Sequence, residues 1–414
     1  MSSLDWVRKS ARTLSEQVKF VLGFAHTSYK AQVGLWVSII FLGFPIWIVT
    51  LLLRPILEVR FWGIPATRLG HLVLETDLFV TKNIQSKKKV LFACFFAGDP
   101  INLFFSTTLT KTLWIWPRSL AGAAFIFQQA FSRRSSRHWA VGKLTEAKIL
   151  TPSSRWIDDG LNMDEVKVLL ETLGADPHKP YICLWARDSS YGSEVDPSRN
   201  QWLNSYRDVS IENYGPMVEL IKKSGYEVIR MGRLSNDTER KSPPPYFDYS
   251  SSQQRSDRND FLLTKYCSFA VAGDSGSVSI PLLYRKPIAL VNIGSFIGLI
   301  DAPSVRIVTM KRLISSVEEH PITMSEIQKL GADQFNRRDQ FEAKNISHIE
   351  NSPEDLEAVA EEIIAIVEKD EVFWRDSDTV LQSSFLDMLA MIGIRNPTFK
   401  PSLNWLRANP QFVE

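Results

Sequence analysis

The chain has 414 residues, 44% hydrophobic and 23% charged, an ordinary globular composition with room for two or three domains. Its 48 basic and 46 acidic side chains leave a formal charge of +2, so no global field favours nucleic acid, and any anion site has to be local. The three cysteines, Cys94, Cys183 and Cys267, each sit in an apolar run, which fits small core residues in a reducing compartment rather than a disulfide frame or metal cluster.

At the amino end, Leu4, Val7, Ala11, Leu14, Val18, Val21 and Ala25 recur at helical steps among Arg8, Lys9, Arg12 and Lys19, the pattern of a basic amphipathic helix on an anionic membrane face. From Ala31 to Leu53 no charged residue occurs, and Lys30 and Arg54 bracket a run long enough to cross a bilayer. Gly43 and Pro45 interrupt it, so a kinked span and an in-plane or re-entrant hairpin both fit. Residues 1–54 are expected to associate with a membrane, with the rest of the chain on the cytoplasmic side.

A first α/β domain is expected over residues 55–175. ILEVRFWGI reads as a strand, PATRLGH as a loop, LVLETDLFVTKNI as a helix and KKKVLFACFF as a second strand. Arg68, Gly70 and His71 then lie at a strand's carboxyl end, where parallel folds collect functional groups. His71 suits a general base that takes the proton of an attacking hydroxyl, and it equally suits a helix cap or a partner for a buried carbonyl. The basic tract Ser132–Trp139 fits lipid headgroups, an anionic acceptor or a solvated loop.

The helix LNMDEVKVLLETLG and a polar linker put the domain boundary near Gly174–Pro180, with a second α/β domain over 176–370. Its first strand leads to Arg187 and Asp188, and a later one to Arg230 and Gly232. SPPPYFDYS breaks helix and strand alike. RSDRNDFLLTKY starts a helix whose Asp257 and Asp260 either cap it or meet substrate. The loop Gly273-Asp274-Ser275-Gly276, between a strand and a short helix, offers backbone N–H groups and a positive helix end to a diphosphate. Arg187 and Arg230 are candidates to neutralise phosphate oxygens, or else to form ion pairs. Phosphate-loop, Gly-x-Gly-x-x-Gly and His-Glu-x-x-His motifs do not occur, and Ser275 lacks a hydrolase elbow. Ser352 and Pro353 read as the start of a further helix, and residues 371–414 as packing helices.

Together the blocks RLGHL, ARDSSY, YRDVSIENY, VIRMG, RSDRNDFLL and AGDSG resemble bacterial glycosyltransferases found with surface-polysaccharide genes, over roughly residues 55–410. The arrangement is also similar to the two-domain class that includes heptosyltransferases and fucosyltransferases. That resemblance implies two Rossmann-like domains facing a cleft and transfer of a sugar from a nucleotide-sugar to a lipid-linked or polysaccharide acceptor. No cofactor or metal is expected. His71 would be the base and Asp188 the second choice, with the diphosphate on Gly273–Gly276. A nucleotide-sugar epimerase and a membrane scaffold without catalysis are the alternatives.

Overall fold

A computed structural model describes residues 37, 39–84, 90–131, 144–187, 201–232, 245–369 and 376–413. The chain divides into two compact units, Met1–Gly142 with Trp156–Asp159, and Lys143–Arg155 with Gly160–Glu414. The amphipathic pattern of residues 4–25, the basic tract and Asp188 lie outside the described residues.

In the first unit, strands β1 (Glu58–Pro65) and β2 (Val90–Ala97) pair parallel in unbroken register, Glu58 opposite Val90 through Pro65 opposite Ala97. Between them a π-helical turn, His71–Glu75, runs into the helix Thr76–Ile84, so the expected strand, loop, helix and strand are present. Phe61, Ala93 and Phe95 of the strands pack on Ala121, Ala124 and Phe125 of the Arg118–Phe131 helix to form the core.

Only part of the uncharged amino-terminal run is described. It forms a π-helical turn, Ile39–Gly43, and a ten-residue helix, Phe44–Leu53, with Pro45 in its first turn, where its missing N–H costs nothing. No helix among the described residues is long and apolar enough to cross a membrane. Instead this helix lies on the Arg118–Phe131 helix: a Cβ built on buried Gly43 would come within 2.7 Å of the Ala123 carbonyl carbon, and the Phe127 ring sits 5.6 Å from Phe44 and 6.0 Å from Trp47.

The second unit is built on a seven-stranded parallel sheet in the order β11-β8-β7-β6-β3-β4-β5. Its strands are β3 (Tyr181–Trp185), β4 (Glu227–Arg230), β5 (Phe247–Asp248), β6 (Ala270–Ala272), β7 (Ile288–Ile293), β8 (Val305–Met310) and β11 (Lys400–Pro401). A separate antiparallel pair joins β9 (Arg312–Ser315) to β10 (Ile346–Ile349). The central strands are apolar on both faces, as parallel strands covered by helices must be, and Val228, Val271 and Ala289 pack against Met217 and Ile221 of one helix and Val359 and Ile363 of another. The Pro353–Lys369 helix starts with the expected cap, since the Asp355 N–H donates to Ser352 Oγ at 3.1 Å.

The compact units divide at residues 143–160, and the Met163–Thr172 helix packs on the Asp257–Tyr266 helix, where Arg258 donates to both Glu165 oxygens at 2.7 and 2.9 Å. The short return of Trp156–Asp159 to the first unit is held by the Trp156 indole N–H, which donates to Asp77 at 2.8 Å. The SPPPYFDYS segment does contribute a strand: Phe247 and Asp248 pair with Ile229 and Arg230 at the sheet edge. The segment from 371 onward also belongs to the second unit, because β11 extends its sheet beside β8.

Candidate functional site

From β3 the sheet grows one way through β4 to β5 and the other way through β6, β7 and β8, so its order reverses between β3 and β6. In an open parallel sheet such a reversal parts the loops at the carboxyl ends and leaves room for a ligand. The residues that follow those ends in this chain are Arg187 after β3, Arg230 at the end of β4, Gly273–Gly276 after β6 and Lys311 after β8. Four separate stretches of sequence are thereby collected at one edge of one sheet.

Most of the charges there are matched. Arg187 donates through Nε to Asp208 at 3.1 Å, and the Lys311 ammonium donates to the Asp208 carbonyl. Arg207 stands 3.6 Å from Asp274. Burial pushes the Lys311 ammonium below its usual pKa, against the pull of Glu350, Asp208 and Asp274 in the other direction. Glu350 supports the same loop by accepting from the Ser210 N–H at 2.9 Å and the Asn213 amide at 3.1 Å.

Three atoms are left over, Arg207 Nε being the first. Asp274 Oδ2 is buried with no hydrogen-bond donor among the described residues, and Gly298 faces it so closely that an added Cβ would lie 2.9 Å away. Arg230 is 3% exposed, and its described contacts are the Tyr246 hydroxyl at 3.2 Å and the Tyr246 ring at 5.7 Å, while its Nε meets no acceptor. Among the described residues it has no carboxylate partner. A guanidinium that has lost water and gained only a phenol lacks the compensation buried charges ordinarily require.

The edge is stiffened by a buried amide network. Asn292, in the left-handed region at φ 57°, accepts from the Asn351 N–H at 2.6 Å and donates to the Tyr214 hydroxyl at 3.2 Å, while Thr309 donates to Asn351 at 2.6 Å. Such satisfied networks fix backbone position. Gly232, at φ 106°, turns the chain after β4 in a conformation that side chains rarely adopt.

The expected site residues therefore separate. Arg187, Arg230, Gly232 and Gly273–Gly276 do gather at this edge, but Arg187 is already engaged by Asp208. The helix after the glycine loop is a 3₁₀ turn, Gly276–Val278, and five α-helical residues, Ser279–Leu283, so its dipole is small. Ser275 and Ser277 bond each other through their hydroxyls at 2.6 Å. Neither Asp257 nor Asp260 caps the Asp257–Tyr266 helix: Ser256 does, accepting from the Asn259 N–H at 3.1 Å. Asp260 is partly buried beside the Tyr249 hydroxyl, its Oδ1 enclosed, and loss of water there raises its carboxyl to about 7. Arg207, Asp208, Lys311 and Glu350 were missed as site residues. Lys311 follows the apolar run VRIVTM, a signal that strand β8 would have given.

In the first unit Arg68 is exposed, and its carbonyl accepts from the Leu72 N–H at 2.8 Å. Gly70 has φ −59°, open to any residue. His71 is about half exposed at 49%, and its Nδ1 bonds Glu75 within the π-turn, so Nε2 is the nitrogen not engaged by that carboxylate. A carboxylate on one imidazole nitrogen selects the tautomer whose other nitrogen accepts a proton.

No family model and no curated protein matches the chain. Among solved structures it is similar to the iron-containing dodecameric glycosyltransferase TibC from enterotoxigenic E. coli, at 14% identity over 59% of each chain with a TM-score of 0.32. The E. coli ADP-heptose LPS heptosyltransferase II matches at 9% identity over 56% of this chain and 83% of its own, with a TM-score of 0.31. TibC in complex with ADP-D-beta-D-heptose, a heptosyltransferase by name, matches at 13% identity with a TM-score of 0.31, and the match again spans 59% of that chain. All three of these structures carry a glycosyltransferase or heptosyltransferase name.

Proposed function

We propose that the chain is a glycosyltransferase that moves a sugar from a nucleotide-sugar donor to a lipid-linked or polysaccharide acceptor in cell-surface glycan synthesis, working on the cytoplasmic side. The observation that carries the reading is Arg230: a buried cation without a carboxylate partner among the described residues, at the carboxyl edge of a parallel sheet and one strand from the reversal of strand order. Such a group suits the diphosphate of a donor. The Gly273–Gly276 backbone is the second candidate contact. Asp274, as an acceptor, suits a sugar hydroxyl rather than a phosphate.

In the transfer, an acceptor hydroxyl oxygen bonds to the anomeric carbon as that carbon's bond to the phosphate oxygen breaks. The nucleoside diphosphate leaves with the electron pair, and Arg230 offsets the charge that grows on it. Nε2 of His71 is the first candidate to take the hydroxyl proton, with Glu75 on Nδ1 to hold the ring and stabilise the imidazolium. Asp188 is the second candidate base.

The test mixes nucleotide-sugars of several bases with polyprenyl-linked acceptors and reads nucleoside diphosphate release. His71→Ala is expected to slow turnover roughly 10²- to 10⁴-fold with donor affinity unchanged, and Glu75→Gln to slow it about tenfold. Full activity in His71→Ala would remove it as the base and turn attention to Asp188→Asn. The proposed transfer needs no metal, so activity is expected to persist in a chelator. Loss restored by manganese would contradict this.

A further inference from the structure

A second property of the chain rests on residues of the first unit and stands or falls independently of the transfer chemistry. The Phe44–Leu53 helix contains no charged and no buried residue. Around it Phe41 is 71% exposed, Val49 52%, Leu52 75% and Ile56 81%. Monomeric soluble proteins rarely keep a contiguous apolar surface of this kind in water.

What covers such a face is decided by its chemistry. The hydroxyl of Thr50 is turned back onto the Trp47 carbonyl at 2.7 Å, so the helix spends its one hydroxyl internally. A protein partner ordinarily meets a polar rim and about one hydrogen bond per 100–200 Å². Hydrocarbon asks for none. The flanking charge agrees: Arg54 follows the helix, Lys30 precedes the uncharged run, and the helix that carries Phe127 is followed in sequence by Arg133, Arg134 and Arg137. Basic residues beside an apolar face favour an anionic lipid surface.

Length and anchoring set the mode. The described Ile39–Gly43 turn and Phe44–Leu53 helix together make fifteen residues, about 22 Å at about 1.5 Å each, short of the roughly 30 Å hydrocarbon thickness of a bilayer. The close approach of Gly43 to Ala123 and the stacking on Phe127 tie this helix along the Arg118–Phe131 helix rather than leaving it to extend away. We infer that the Phe41–Ile56 face embeds in one leaflet of an anionic bilayer, lying in its plane, with both flanks of the run on the same side.

Flotation of the full chain with vesicles tests this. Wild-type protein is expected to rise with phosphatidylcholine vesicles that contain phosphatidylglycerol, and less with phosphatidylcholine alone. The exposed-site variant Leu52→Glu/Ile56→Glu is expected to lose binding roughly tenfold or more with an unchanged thermal midpoint. In sealed vesicles, Lys30→Cys and Arg54→Cys should each react with an external, membrane-impermeant maleimide. Labelling of Arg54→Cys alone, or of Lys30→Cys alone, would show a spanning segment and overturn the in-plane reading. Failure of wild-type protein to bind either vesicle, or dimerisation through this face that persists in the presence of lipid, would overturn it altogether.

Discussion

Replacement of Arg230 by Met is expected to weaken nucleoside diphosphate binding about a hundredfold while leaving the protein as stable as before or more so. Both halves come from the same observation. The guanidinium is 3% exposed with a phenol hydroxyl and a phenol ring as its described partners. In the free protein that burial is a net cost, and replacing buried ionic groups by apolar ones of similar size is neutral or stabilising by about 1–4 kcal/mol. The low end of that range corresponds to a rise in melting temperature of roughly 2–4 °C for a unit of this size. In the donor complex the same group meets phosphate oxygens, and charge-assisted hydrogen bonds contribute about 1.5–3 kcal/mol each, with 1.4 kcal/mol per tenfold in affinity. Arg230→Lys keeps the charge but loses the planar fork, so its affinity should fall between the two. Calorimetric titration with ADP, UDP and GDP, paired with thermal melts, reads both quantities. Wild-type affinity in Arg230→Met would remove the diphosphate reading of this edge, and a large loss of stability would show that Arg230 is a structural residue.

Local features were legible in the sequence where local physics decides them. The strand, loop and helix after Pro55 follow from apolar periodicity. The Ser352 cap follows from a hydroxyl three residues before an acid, and the core placement of Cys94, Cys183 and Cys267 from their apolar neighbours, all three being buried and free. Features set by distant partners were not legible. Asp208 meets Arg187 across 21 positions of sequence and Glu350 meets Ser210 across 140, so whether Arg187 was available to a ligand depended on a fold that no window displays. Strand β5 is two residues long in a proline-rich stretch and exists only because β4 offers it an edge. Met163–Thr172 reads as a helix wherever it packs, and the Glu165–Arg258 pair that ties it to the second unit spans 93 positions. Glu75 lies four residues from His71, a spacing visible in the sequence once the helical turn is known to begin at His71 itself.

Two partly buried groups of the second unit should oppose each other in the pH dependence of folding. Burial raises the Asp260 carboxyl from 3.8 to about 7, and burial lowers the His348 imidazole from 6.5 to about 4. His348 is packed against the rings of Phe341 and Tyr206 and bonds the Gly294 carbonyl at 2.9 Å. For Asp260 the folded state holds its proton longer than the unfolded chain, so its contribution to stability is lost as pH rises from about 4 to about 7. For His348 the unfolded chain takes up a proton that the folded state refuses, so stability is lost as pH falls from about 6.5 to about 4. Within the shared window the slopes have opposite sign and magnitudes of about 1.4 kcal/mol per pH unit, and in the wild type they largely cancel. Each single variant should uncover the other group. Asp260→Asn, whose amide resembles the protonated carboxyl, should grow more stable from pH 4.5 to 6.5, whereas His348→Phe should grow less stable over the same range. The lost Gly294 bond lowers stability in the second variant at every pH and leaves the slope unaffected. Urea denaturation of the three proteins across that range gives the slopes, and the two variants should differ by up to about 3 kcal/mol per pH unit. Parallel curves would mean that neither group is buried in the charge state its surroundings dictate. A slope that appears in only one variant would locate the titrating proton on the group that variant retains.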